Sequence, residues 1–111
     1  MPNAPTEERF LQLVERLFGS RSPDLEAFRK EAERHLMESY EQANTDTTRG
    51  HLTRKILKMK ARQLSTIIDA TRFGLDSWQE LDRDERSPIV NLLAASEQQF
   101  DREAYLMDHT N

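Results

Sequence analysis

The chain has 111 residues, no cysteine and a net charge of −4. That length suits one domain with a modest core, and the missing cysteines exclude disulfides, thiolate zinc sites and cysteine nucleophiles. Apolar residues make up 36% and charged residues 32%, a polar balance that leaves a thin core and apolar surface for a partner to complete.

No apolar run approaches the roughly 18 residues needed to span a bilayer, and "MPNAPTEERF" lacks the basic-then-apolar pattern of a secretory signal. The expectation is a soluble, intracellular protein, cytoplasmic or, in a eukaryote, nuclear, with no membrane contact. Alternating β-branched runs bounded by turns are absent, so helices are expected throughout.

Taken in order, "TEERFLQLVERLF" predicts a first helix. Thr6 caps it, Glu7 and Glu8 fill its first turn, and Gly19 ends it. Phe10, Leu13, Val14, Leu17 and Phe18 recur at helical spacing. "SPDLEAF" predicts a second helix with Ser22 as cap and Pro23 as first helical residue. Its apolar stripe holds Leu25, Phe28, Ala32, Leu36 or Met37, and Tyr40. "NTDTT" reads as a loop.

A third helix is expected from about Thr47 to Phe73, stopped by Gly74. Leu52, Ile56, Met59, Leu64, Ile67, Ile68 and Thr71 are assigned to its buried side. Ser77 caps a short turn holding Trp78 and Leu81. The last helix has two candidate starts. One is an Asp82–Glu85 capping box, which leaves Pro88 inside the helix. The other, preferred, is Ser87 as cap and Pro88 as first residue, running to about Met107. Its apolar side is Ile89, Val90, Leu92, Leu93, Phe100, Ala104 and Leu106. The whole is expected to be a single all-α domain over 1–111 with short disordered ends. Its architecture is an antiparallel bundle of four main helices plus a short helical turn.

Charge is segregated along this chain. "RGHLTRKILKMKAR" carries Arg49, Arg54, Lys55, Lys58, Lys60 and Arg62, and no acid interrupts it. Arg54, Lys58 and Arg62 stand four apart and repel one another. Three readings are open. Acidic residues of the second helix (Glu31, Glu38 and Glu41) offset the strip; a protein partner docks on it; or it contacts nucleic-acid phosphates. The third reading lacks a Gly-rich loop or interleaved aromatics, and the acidic remainder opposes a polyanion. Trp78, the only tryptophan, reads either as a core plug between the third and last helices or as an interface anchor.

Catalytic signals are sparse. His35, His51 and His109 show no metal-ligand spacing, no P-loop is present, and no cofactor is implied. Asp82, Asp84 and Glu85 look like helix-start chemistry. Arg29 and His35 form an Arg-x5-His pair that resembles the spacing in HEPN-type ribonucleases. That likeness implies a helical nuclease.

Two stretches carry a broader likeness: "LTRKILKMKARQLSTIIDAT" and "LDRDERSPIVNLLAASEQQFDREAYL". Their order, a long basic and aliphatic helix followed by an acidic helix start and a long final helix, resembles the helical domain of GINS replication-complex subunits. Arg54 and Arg62 match the family's basic positions. Gln63, Leu64 and Ile67 fall near the later ones, with Thr66 where the family has Lys. Leu81, Asp82 and Glu85 stand at the helix start. The resemblance implies a non-catalytic scaffold in a tetrameric assembly joining helicase, polymerase or primase, with the basic helix mostly an interface element. The expected function is therefore a non-enzymatic protein–protein interaction module in a homo- or hetero-oligomer. The alternative is a small nucleic-acid-associated regulator.

Overall fold

A computed structural model describes residues 6–109, with side chains described through Gln99. The expected disorder of the chain ends, and the placement of Phe100, Ala104, Leu106 and His109, lie outside what it describes. The fold is all-α. Helix α1 spans Glu7–Phe18, α2 Leu25–Gln42, α3 Thr48–Ser77 and α4 Arg83–His109, with a 3-10 turn at Trp78–Glu80. The described residues form two compact units, one of the residues up to Pro23 together with those from Ala70 onward, the other Asp24–Asp69.

In the first unit, Thr6 accepts the Arg9 N–H at 3.1 Å and so satisfies one of the donors a helix start leaves open. Gly19 closes α1 in the left-handed region at φ 82° and donates its N–H to the Glu15 carbonyl. The chain then turns, and the Arg21 guanidinium forks onto both Glu8 oxygens at 3.0 and 2.6 Å and reaches Glu15 at 3.1 Å. The hydrogen bond from Arg21 holds the Glu8 carboxyl below the ordinary glutamate range. With its pKa depressed, Glu8 holds this staple at neutral pH and releases it as pH falls through the lowered value.

The core of this unit is Phe10, Leu13, Val14, Trp78, Leu81, Ile89 and Leu93. The rings of Phe10 and Trp78 stack with centroids 4.8 Å apart and planes 12° off parallel. Arg86 lies over the Trp78 ring, 5.0 Å from its centroid, and donates from Nε and Nη2 to the Trp78 carbonyl. Glu7 bonds Gln79, and Arg16 pairs with Glu97 of α4 at 2.8 Å.

Gly74 does not stop α3. The helix passes through it to Ser77. The glycine is there for room, because a Cβ at this position would sit 2.5 Å from the tip of the buried Phe10 ring. The start of α4 also differs from the preferred reading. Asp82 and Glu85 cap each other, with Glu85 N–H to Asp82 Oδ1 at 2.9 Å and Asp82 N–H to Glu85 Oε1 at 3.0 Å. That box satisfies two donors at once, and Arg86 ties the same turn to the Trp78 carbonyl. Pro88 therefore lies inside the helix, where it leaves the Asp84 carbonyl without its ladder donor.

In the unit Asp24–Asp69, the cap of α2 is Asp24, not Ser22. Its carboxylate accepts the Ala27 N–H at 3.0 Å, while the Ser22 N–H is taken by Ser20 Oγ in the preceding turn. Helices α2 and α3 pair antiparallel. Arg29, early in α2, bonds Ser65 at 3.2 Å and Asp69 at 2.7 Å, whereas Tyr40, late in α2, meets Arg54. Leu25, Ile67 and Ile68 are buried here. Between the helices runs a groove of about 320 Å³ lined by Leu36, Met37, Tyr40, Leu57, Lys58 and Ala61 among others. Thr47 caps α3 by accepting the Gly50 N–H at 3.0 Å, and its hydroxyl donates to the Asn44 carbonyl.

Candidate interaction face on the third helix

The basic strip does not act as one row. Arg54 and Lys58 turn toward α2. The Arg54 guanidinium lies 4.3 Å from the centroid of Tyr40 and donates through Nε to the Tyr40 carbonyl at 3.1 Å; Lys58 Nζ is 5.7 Å from the same ring. Two attractions are combined here. A cation over an aromatic face is favourable, and so is a cation at a helix C-terminus, where carbonyls lack partners. Arg49, Lys55, Lys60 and Arg62 are exposed instead.

Glu31 and Glu38 of α2 do not offset this strip. Glu31 and Glu38 pair with Arg34 of their own helix at 2.5 and 2.8 Å, and the hydrogen bond from Arg34 lowers the Glu31 pKa. Among the described residues, no carboxylate comes within salt-bridge distance of Arg49, Lys55 or Arg62. The structure thus removes the intramolecular explanation for those three charges.

The buried side of α3 also lies elsewhere than expected. Ile67, Ile68 and Thr71 are buried and Leu64 is half-buried, as assigned. Leu52, Ile56 and Met59 are exposed, by 56%, 44% and 59%. At about 100° per residue, the face toward α2 is the one holding Leu57, Ala61 and Leu64, and Leu52, Ile56 and Met59 fall nearly opposite. Their spacing is as regular as that of a core stripe, so spacing alone misplaced them. The missed signal is the aromatic-cation pair Tyr40–Arg54, which marks the side turned toward α2.

Trp78 is only 6% exposed and stacked on Phe10. It belongs to the core cluster of its unit, with Leu81, Ile89 and Leu93, as the core-plug reading expects. Arg29 and His35 are not brought together. Six residues along α2 place them about 120° apart around the helix. Arg29 is held by Ser65 and Asp69, while His35 lies 3.0 Å from Glu31 on the exposed side. No group of three potential metal ligands occurs among the described residues, and no described helix is long and apolar enough to cross a membrane.

Comparison with protein-family models, curated proteins and solved structures gives no match.

Proposed function

We propose that the chain is a non-enzymatic protein–protein interaction module that docks partners on α3. The observation that carries it is the exposure of Leu52, Ile56 and Met59 on a helix face that also carries the exposed basic side chains Lys55 and Arg62. Apolar surface of this kind, rimmed by charge, marks interaction sites. The finer form of the proposal is a GINS-like subunit or scaffold of a DNA replication complex. Its support is the likeness of Arg54, Arg62, Leu64 and Ile67 in α3, and of Leu81, Asp82 and Glu85 at the start of α4, to the helical domain of that family.

A second reading is a nucleic-acid-associated regulator, favoured by the uncompensated Arg49, Lys55 and Arg62. Light scattering after size exclusion, at low and high salt and with a short duplex, separates the two. The expected result is an oligomer or heterocomplex that ignores the duplex. A strict monomer that binds duplex only at low salt, as phosphate contact requires, would replace the first reading with the second.

A further inference from the structure

The exposed stripe continues beyond its three large residues. Leu52, Ile56, Met59, Gln63 and Thr66 follow at intervals of four, three, four and three, all exposed on one side of α3. That is the 3.5-residue repeat of a coiled-coil seam. The stretch is roughly 21 Å long at 1.5 Å per residue. Lys55 and Arg62 flank the seam on one side and Lys60 on the other, at the positions that choose the partner in paired helices.

From this we infer that α3 offers one half of a two-helix seam, and that its occupant is an acidic amphipathic helix of a different chain. The inference rests on the interaction reading above and names its partner class. Charge decides the occupant. A second copy laid seam to seam would set Lys55 and Arg62 against Lys60 and its equivalents, cation against cation. An aliphatic seam flanked by Asp or Glu would instead meet each of these charges with its opposite. A lipid surface is a poor match, because Gln63 and Thr66 end the apolar run after about two turns. Nucleic acid leaves Leu52, Ile56 and Met59 without a contact. Gln63 in the seam acts as a polar register mark, favouring a partner with a polar group at that level.

The probe is a labelled synthetic peptide of about four heptads with an aliphatic seam and Glu at the flanking positions, read by fluorescence anisotropy. Its own like charges keep it from pairing with itself. The full chain is expected to bind it, and to bind a Lys-flanked twin at least about tenfold more weakly. Ile56→Glu should abolish binding, with helicity checked by circular dichroism. The double variant Lys55→Glu, Arg62→Glu touches only exposed side chains and should weaken the Glu peptide and strengthen the Lys twin. Equal binding of both peptides, an unaffected Ile56→Glu variant, or no binding at all would overturn the inference. So would binding confined to phosphatidylserine vesicles or to a duplex. A chain that oligomerises or holds a partner yet ignores the Glu peptide loses this inference and keeps the interaction reading. A monomer that does neither loses both.

Discussion

Phe10→Ala is expected to cost about 3–5 kcal/mol, the range for emptying an aromatic site in a packed core. Phe10 is 1% exposed, stacks on Trp78, and its ring tip fills the space left by Gly74. Three elements therefore lose contacts together, and a helical core of this kind collapses poorly around a ring-sized void. Against a total of about 5–15 kcal/mol for an ordinary domain, such a loss removes a large share of stability. Trp78 supplies the readout, since it is the only tryptophan. Its emission should shift toward that of a solvated indole at lower denaturant concentration. Phe73→Ala, at a ring 52% exposed, is the matched control and should change little. A Phe10→Ala loss below about 1 kcal/mol, with Trp78 emission unchanged, would mean the stack is not central to this core.

Gly50→Ala carries the second large effect, in the other unit. Ordinarily the change favours a helix by up to about 1 kcal/mol. Here an added Cβ would overlap the backbone carbonyl of Asn44. A carbonyl held in a turn cannot swing aside as a side-chain tip can. Moving it also strains the Thr47 hydroxyl, which donates to Asn44 and caps Gly50. Overpacking of about 1–3 kcal/mol and a weakened cap of about 1 kcal/mol outweigh the propensity gain. The net loss is about 2 kcal/mol, or roughly 9 °C in melting temperature, followed by far-UV circular dichroism. A rise in melting temperature would show that the loop yields freely and that propensity wins.

Much of the helical layout was legible because its punctuation is local. Thr6 and Gly19 act where the sequence placed them, since a cap needs only a few neighbouring residues. Gly74 and Pro88 misled for the same reason. Each looks like a boundary locally, but Gly74 is fixed by a ring 64 positions away in the chain, and Pro88 is tolerated because the Asp82–Glu85 box and Arg86 hold the turn before it. The largest difference concerns α3. A helix this long can show two apolar faces, and periodicity cannot say which one is covered. The basic residues of the candidate site were visible as composition. Their division into a pair serving Tyr40 and a set flanking an open stripe depends on where α2 lies, which no spacing within α3 reveals.

One consequence follows from the unbroken run of α3 from Thr48 to Ser77. Its last turns carry Thr71 and Gly74, both buried, while Leu52 through Arg62 carry no fully buried residue. The same helix is thus held unequally along its length, and local opening is governed by such differences in burial. Amide hydrogens should exchange fast around Leu52–Met59 and slowly around Thr71–Leu75, giving a graded clock along a single rod. A bound partner would show itself by slowing the fast end alone.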